Sequence, residues 1–260
     1  MITGFDRLTR VLLAKTEGEP GVECLLPELG MWSNLLRISP ERPTTRILIS
    51  GRSQCGKTHL AVAIACRLVT PYVNRVIVVC PSADTQSILS LLTVEALPDD
   101  VHTEKRPTND LLEEIRDSVK KEYLESNKQK RTLLFLDDVA ADSCTNQGRK
   151  GAFGQLILES NHIGLTIIGI FQQVTSCSAV FRDNAEDIIV FPPAREDDFN
   201  RIKKEFIPSQ FNVVDRDQFE RAMVGVWQDG NFVFIHRPAR QAPQVFEDFN
   251  RPLELSFYAS

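Results

Sequence analysis

Residues 46–58 read Arg-Ile-Leu-Ile-Ser-Gly-Arg-Ser-Gln-Cys-Gly-Lys-Thr, and this stretch decides the fold. The apolar run before Gly51 predicts a short buried strand, and the apolar residues after Thr58 predict a helix over 57–69. The glycines, the lysine and the threonine between them have the spacing of the phosphate-binding P-loop, G-x-x-x-x-G-K-[ST]. A strand before this loop and a helix after it are the context that the pattern requires, so a chance match is the weaker interpretation.

Each position of the loop has a physical task. Gly51 lets the chain turn sharply, and Gly56 lets backbone N–H groups approach phosphate oxygens without an intervening Cβ. Lys57 is expected to reach the β- and γ-phosphates of a nucleotide, and the Thr58 hydroxyl is placed for Mg²⁺. The N-terminus of the following helix adds a partial positive charge. The predicted nucleotide-binding residues are Gly51, Arg52, Ser53, Gln54, Cys55, Gly56, Lys57, Thr58 and His59.

A second motif, Thr132-Leu-Leu-Phe-Leu-Asp-Asp138, follows further along the chain. Four apolar residues that end in two aspartates are typical of the Walker B strand. A buried strand would deliver Asp137 to the carboxyl edge of the sheet, where it can hold Mg²⁺ through water. Asp138 would polarise the attacking water as a general base. Alone, the pair could equally cap a turn, but the P-loop upstream favours the catalytic interpretation.

A third candidate residue stands at the end of the apolar run 165–171, which predicts another buried strand. The residue is Gln172, and a polar amide at the tip of the strand beside the Walker B strand is where ASCE-type ATPases place a sensor of the γ-phosphate. An ordinary turn residue is the alternative. We therefore predict Gln172 as the sensor.

The order of predicted elements indicates an α/β protein. Unbroken apolar, β-branched runs suit strands of a parallel sheet that is covered on both faces. The predicted strands are 46–50, 75–80, 132–137, 165–171 and 188–191, and the predicted helices are 57–69, 109–126, 152–160, 196–206 and 215–223. With the phosphate-binding loop, this order predicts a P-loop NTPase fold of the ASCE or RecA-like type, with a mostly parallel central sheet flanked by helices.

The remaining segments complete the predicted organisation. Residues 98–108 are polar and predict a surface loop. Residues 225–236 predict a C-terminal β-hairpin that turns at Asp229-Gly230. The predicted domains are an N-terminal cap or arm (1–44), a P-loop ATPase domain (45–236) and a C-terminal extended tail (237–260).

Composition excludes several classes of protein. The chain has 260 residues and six scattered cysteines with no C-x-x-C pair, which argues against a zinc site or a disulfide framework and favours a reducing, intracellular compartment. The first residues of the sequence lack the basic region and apolar core expected of a signal peptide, and no apolar run is long enough to predict a membrane span. The net charge of −5 makes no global case for nucleic acid. Contact with DNA would need a lumen formed on assembly or a local basic patch, and the candidate patches are 128–131 and 201–204.

The motifs taken together resemble a known family. They comprise the P-loop, the Leu-Phe-Leu-Asp-Asp strand, the segment Asn161-His-Ile-Gly-Leu-Thr-Ile-Ile-Gly-Ile-Phe-Gln172, and Val180-Phe-Arg-Asp-Asn184. Over residues 45–195 the chain is similar to viral genome-packaging ATPases of the poxvirus type, in the FtsK–HerA superfamily. The resemblance implies an ATP- and Mg²⁺-dependent motor that moves double-stranded DNA into a preformed capsid. It also implies a homo-oligomeric ring, capsid proteins as partners, and a location in the host cytoplasm, in a viral factory or on the virion.

The same resemblance assigns roles to residues. Lys57 and Thr58 bind nucleotide and metal, Asp137 and Asp138 are the Walker B pair, and Gln172 is the sensor. Arg182 and Asn184 match an Arg-x-Asn element, which makes Arg182 a candidate catalytic arginine.

The chain departs from the family pattern at three positions. Family members usually carry glycine and serine in place of Gln54 and Cys55, and commonly an arginine in place of Asn161. An arginine that acts across subunits must therefore come from elsewhere, and the candidates are Arg182 and Arg149. Cys55, beside a lysine and a helix N-terminus, is expected to favour its thiolate, so that alkylation would block ATP hydrolysis.

Other functions compete with this interpretation. A P-loop kinase or other phosphotransferase would need an acceptor pocket and an arginine-bearing lid. A GTPase would need Asn-Lys-x-Asp, and the segment 127–130 ends in lysine instead. A cellular-type DNA-pumping ATPase shares the motifs, and a scaffold with a vestigial site is disfavoured by the intact lysine, threonine and first aspartate.

Overall fold

A computed structural model of the chain provides the structure. The residues that it describes are 44–58, 60–62, 64–65, 73–81, 101–104, 106–139, 143–206, 211–213, 216–228, 231–237, 244–247, 251–252 and 257–259. The predicted N-terminal cap or arm lies outside this set except for its last residue, Thr44, and the predicted site residue His59 also lies outside it.

The elements alternate as the apolar runs predict. The strands are β1 (Arg46–Ser50), β2 (Arg75–Val79), β3 (Val101–Glu104), β4 (Thr132–Asp137), β5 (Leu165–Phe171), β6 (Asp187–Val190), β7 (Phe211–Val213), β8 (Val233–His236), β9 (Gln244–Glu247), β10 (Arg251–Pro252) and β11 (Phe257–Ala259). The helices are α1 (57–65, with 59 and 63 outside the described residues), α2 (Asn109–Glu125), α3 (Ala152–Glu159), α4 (Ala179–Asn184), α5 (Glu196–Glu205) and α6 (Arg216–Gln228). Short 3-10 turns cover Ser143–Asn146, Gly148–Lys150, Ser160–His162 and Val174–Ser176.

Within the described residues, nine strands form one sheet in the order β10-β9-β8-β6-β1-β5-β4-β2-β3. The run from β6 to β3 is parallel, and β8, β9 and β10 continue it antiparallel. The mostly parallel α/β fold predicted from the sequence is therefore confirmed. Strands β1, β4 and β5 are buried along their whole length, which is why they are apolar without alternation.

The two faces of the sheet bury separate apolar clusters, because successive side chains of a strand point to opposite faces. In β1, Leu48 joins the cluster that includes α2, α3 and α4, whereas Ile47 and Ile49 join the cluster that includes α1. Burying one such side chain contributes about 1.5–3 kcal/mol. The sheet is thus fixed from both sides, and only its edges and loops remain available for a site.

The topology brings three predicted motifs to one edge. Strand β5 pairs with β1 on one side and with β4 on the other, all in parallel. The carboxyl ends of these three strands therefore lie side by side, where parallel α/β sheets bind their ligands. The P-loop follows β1, Asp137 ends β4 and Gln172 follows β5.

The C-terminal β-hairpin predicted at 225–236 is wrong in its position. Residues 225–228 are the last residues of α6, and β8 begins only at Val233. Met223, Val226 and Trp227 have helical spacing: the first two are buried, and the Trp227 indole N–H donates to the Val190 carbonyl at 3.1 Å. The antiparallel pair lies one element later, between β8 and β9.

Two other segments differ from their predicted form. The polar segment predicted as a surface loop contains β3, which pairs with β2 in parallel. The segment 237–260, predicted as an extended tail, contributes β9 and β10 to the large sheet and pairs β11 with β7. Strand pairing at a sheet edge uses backbone groups, so it leaves little signal in side-chain composition.

Candidate nucleotide site

The backbone of the P-loop adopts the turn that its glycines predict. Gly56 has a φ of +94°, a conformation that favours glycine, and Gln54 is held in the left-handed region at +59°. A Cβ on Gly51 would lie 2.5 Å from the Cβ of Phe191, so only glycine fits where the chain leaves β1. Arg52, Ser53 and Gln54 are exposed at the crest of this turn. The loop is therefore shaped by its own backbone conformation at Gln54 and Gly56 and by close packing of Gly51 against Phe191.

Lys57 lies across the loop and points into it. Its side chain is buried, and its ammonium donates to the Arg52 carbonyl at 2.7 Å and approaches the Cys55 Sγ at 3.9 Å. A buried ammonium needs acceptor oxygens, and phosphate oxygens are stronger acceptors than a carbonyl. Lys57 is thus available to bind an anionic group held in the loop.

Thr58 joins the P-loop to the end of β4. Its hydroxyl donates to Oδ2 of Asp137 at 3.1 Å, and Asp137 is only 5% exposed. A hydroxyl and a carboxylate at this separation are the hard oxygen donors that Mg²⁺ prefers, and this ion commonly binds with few protein ligands, several waters and substrate phosphates. The donor set therefore fits Mg²⁺, with Thr58 and Asp137 as the residues that would hold it.

Asp138 faces Gln172, the residue predicted as the sensor. The Nε2 of Gln172 donates to Oδ1 of Asp138 at 3.3 Å, and both side chains are exposed. Asp138 has a φ of +56°, which is unfavourable for residues other than glycine, asparagine and aspartate. This conformation turns its carboxylate out of the line of β4 toward the end of β5, so one amide and one carboxylate form a polar pair beside the Thr58–Asp137 pair.

Arg182 occupies a different environment from these residues. It is 9% exposed, and its Nε donates to Oε2 of Glu205 at 2.6 Å. Its Nη1 donates to the carbonyls of Val174 and Cys177. The structure therefore brings Lys57, Thr58, Asp137, Asp138 and Gln172 to one edge of the sheet, whereas the Arg182 side chain is buried against Glu205, Val174 and Cys177. The other candidate arginine, Arg149, is exposed in the 3-10 turn after β4.

The surroundings of Cys55 do not favour the thiolate that its sequence context predicts. Burial raises the pKa of its thiol, and the nearby Lys57 ammonium only partly opposes this. The expectation of a favoured thiolate is wrong because removing the thiolate from water costs more than one neighbouring cation returns.

Sequence reasoning did not single out two acidic residues, Asp198 and Glu205, that bond near the segment after Gln172. Asp198, only 1% exposed, accepts bonds from the backbone N–H of Thr175 at 3.0 Å and from its hydroxyl at 2.9 Å. Glu205 holds Arg182, as described above. An acidic residue in the first turn of α5 is visible in the sequence as a helix-start signal, but nothing local indicates its partner.

Comparison with known proteins identifies solved structures that have a similar fold. No protein-family profile matches the chain, and no curated protein matches it. Among solved structures, it resembles the genome-packaging NTPase B204 from Sulfolobus turreted icosahedral virus 2 in complex with AMPPCP, with a TM-score of 0.57 and 17% identity over 79% of this chain and 98% of that one. It also resembles B204, the DNA-packaging ATPase from Sulfolobus turreted icosahedral virus, with a TM-score of 0.57 and 15% identity over 81% of this chain and 98% of that one.

The same NTPase in complex with ATP-gammaS superposes with a TM-score of 0.54 at 16% identity. At these identities the likeness establishes the fold. The chain therefore shares its fold with viral genome-packaging NTPases, as its sequence resemblance predicts.

Proposed function

We propose that this protein is an Mg²⁺-dependent ATPase that translocates double-stranded DNA and packages a viral genome into a capsid. The observation that carries the proposal is the meeting of three motifs at one sheet edge, where the Thr58 hydroxyl lies 3.1 Å from Asp137 and the Gln172 amide lies 3.3 Å from Asp138. The fold shared with genome-packaging NTPases supports the choice of DNA as the substrate that is moved.

The residues of this chain divide the chemistry between them. Lys57 and the backbone N–H groups of the P-loop bind the β- and γ-phosphates and offset charge that develops on them. Thr58 and Asp137 would hold Mg²⁺, Asp137 through water, and the ion would supply charge neutralisation at the phosphates when bound. Asp138 orients and deprotonates the attacking water. Gln172 donates to Asp138 and so keeps that carboxylate aligned.

Phosphoryl transfer to water depends on positioning and electrostatics rather than on covalent catalysis. The groups described at the sheet edge are an ammonium, a hydroxyl, two carboxylates and an amide, which suit positioning and electrostatic stabilisation of this kind. A phosphotransferase would in addition need a pocket for its acceptor.

A homo-oligomeric ring follows from the proposed motor. Subunits that meet head to tail form a heterologous interface, which closes into a ring by rotation. DNA in the lumen would be held through its phosphates, without sequence preference and with strong salt dependence. Lys128 and Lys130 are exposed cations that suit this role, whereas Arg201 and Lys203 are engaged with Glu205 and Glu220.

We also propose capsid proteins as partners of this protein, and the host cytoplasm or a viral factory as its location. Among the described residues no helix is long and apolar enough to cross a bilayer.

The test is ATP hydrolysis by the purified protein with and without double-stranded DNA. Lys57→Ala removes the phosphate-binding ammonium, and Asp138→Asn keeps the size of the side chain while removing the base. We expect DNA to raise the rate for the natural protein, and both variants to lose hydrolysis at every DNA concentration.

Two results would contradict the proposal. Hydrolysis that DNA does not change, together with phosphate transfer to a small-molecule acceptor, would identify a phosphotransferase. No nucleotide binding at all would identify a scaffold. Electron microscopy with a non-hydrolysable ATP analogue adds a separate check, because a motor of this kind is expected to form closed rings.

A further inference from the structure

Arg182 is held by several contacts at once, unlike an exposed arginine whose side chain is free to extend toward a neighbouring subunit. Its guanidinium bonds at once to the Glu205 carboxylate at 2.6 Å and to the carbonyls of Val174 and Cys177. The side chain is 10% exposed. A planar guanidinium with donors in a fixed fork is suited to holding several oxygens of separate segments in one arrangement. These contacts connect three elements: α4, the 174–177 segment and α5.

The 174–177 segment directly follows the sensor Gln172 and is tied to both ends of α5. At the first turn of α5, the buried Asp198 carboxylate accepts from the backbone N–H and hydroxyl of Thr175. At the last turn, Glu205 reaches the segment through Arg182. The segment also closes on itself, since the Cys177 N–H donates to the Val174 carbonyl at 3.2 Å. These ties hold the backbone after the sensor against one helix.

Helix α4, which carries Arg182, is itself fixed at its C-terminus. The guanidinium of Arg237 donates to the carbonyls of Arg182 and Asp183, both at 3.1 Å. These bonds satisfy carbonyls that the end of a helix leaves without partners. The Arg182 backbone is therefore held in place while its side chain bonds to the 174–177 segment.

We propose that Arg182 is a positioning residue that acts within its own subunit, holding the 174–177 segment on α5 so that Gln172 stays in place on Asp138. The inference rests on the proposed ATPase function and deepens it. In this proposal, Arg182 is not a catalytic arginine that extends into the active site of a neighbouring subunit.

The first experiment measures hydrogen exchange of the 174–177 amides, which does not depend on catalysis. The variants are Arg182→Ala and the conservative Arg182→Lys, which keeps one charged donor and guards against misfolding. The control is Arg201→Ala, which removes the other cation on Glu205 and touches no residue of the segment. We expect faster exchange in Arg182→Ala, an intermediate rate in Arg182→Lys and the natural rate in Arg201→Ala.

The second experiment asks through which residue Arg182 acts on ATP hydrolysis. Misplacing a catalytic group by about 1 Å can lower a rate roughly 100-fold. We therefore expect Arg182→Ala to lower kcat by about 10- to 100-fold with KM unchanged, since the described contacts of Arg182 do not include the P-loop. If Arg182 acts through Gln172, the double variant Arg182→Ala/Gln172→Ala should have nearly the same kcat as Gln172→Ala alone.

The third experiment separates action within a subunit from action across subunits. Arg182→Ala subunits, which keep an intact P-loop, are mixed with Lys57→Ala subunits, which keep Arg182. An arginine that reaches a neighbour would restore hydrolysis in the mixture, and a positioning residue would not.

Three results would overturn the inference: unchanged exchange at 174–177 in Arg182→Ala, multiplicative losses in the double variant, or hydrolysis restored on mixing. The outcome is separable from that of the proposed function. If the natural protein fails to hydrolyse ATP, the proposed function fails, while the exchange rates still decide whether Arg182 holds the segment.

Discussion

A methyl group added at Gly169, in the middle of β5, would test the packing beneath the sensor. A Cβ at this position would lie 2.4 Å from Cε1 of Phe181 and 2.9 Å from Cε2 of Phe171. Phe181 is fully buried, and its ring centroid lies 5.9 Å from that of Phe171 and 6.2 Å from that of Phe153. Because the three rings pack on one another, Phe181 has no open side to which it can turn.

The expected magnitude combines two opposing effects. Overpacking a buried site costs about 1–3 kcal/mol. Replacing glycine by alanine also reduces the entropy of the unfolded chain, which stabilises by about 0.4–1 kcal/mol. We therefore expect Gly169→Ala to lower the free energy of unfolding by about 1–2 kcal/mol, and Tm by about 2–4 °C for each kcal/mol.

Gly225→Ala is the matched control, because the chemical change is the same and the surroundings are opposite. Gly225 lies in α6, and a Cβ there would meet no atom within 4 Å. Alanine is favoured over glycine in a helix by about 0.8–1 kcal/mol, so this variant is expected to be more stable than the natural protein.

Urea denaturation measures both variants, with the slope m checked for a change in the surface exposed on unfolding. Opposite shifts of the midpoint at constant m are the expected result. A Gly169→Ala protein at least as stable as the natural one would refute the reasoning, because it would mean that the Phe181 ring does not lie against β5.

Three further predictions concern the site and one helix. Thr58→Ala should raise the Mg²⁺ concentration needed for half-maximal ATP hydrolysis, because it removes one of the two side chains proposed to hold the ion, whereas Thr58→Ser should leave that concentration unchanged. Alkylation of Cys55 by iodoacetamide, followed by mass spectrometry, should be slower at pH 7 than for an exposed cysteine and should accelerate as pH rises, since burial raises the thiol pKa; a rate independent of pH would contradict this. Thr108→Ala should lower the free energy of unfolding by about 1 kcal/mol, because the Thr108 side chain accepts from the Leu111 N–H at the start of α2, and Thr108→Ser should retain most of it in urea denaturation.

The sequence predicts the central strands well because their signal is local. An unbroken apolar run such as 165–171 suits only a strand covered on both faces, and β5 begins and ends there. The prediction for 225–236 was wrong because it, too, rested on a local signal. Its apolar residues satisfy both a strand and a helix pattern over a short window, and burial of Met223 and Val226 against the sheet decides for the helix.

Some features of the candidate site were likewise predictable from the sequence, and others were not. The P-loop turn, with Gly56 at positive φ, follows from its own residues. The contact of Thr58 with Asp137 was predictable only as a consequence of two motifs that parallel sheets bring to one edge. The partners of Arg182 were not predictable, because Glu205 carries no local feature that separates it from the solvated acids of other helices.

The sequence by itself determined that a strand, a phosphate-binding loop and a helix follow one another, and that acidic and amide side chains end later strands. These features depend on backbone propensity and apolar periodicity, which act over a few residues. Only the tertiary structure decided that β5 lies between β1 and β4, and that Arg182 is buried rather than extended from the surface. Both features depend on strand pairing and side-chain packing between residues far apart in the chain. The energy of such a contact requires both residues, so it cannot be assigned from either one alone.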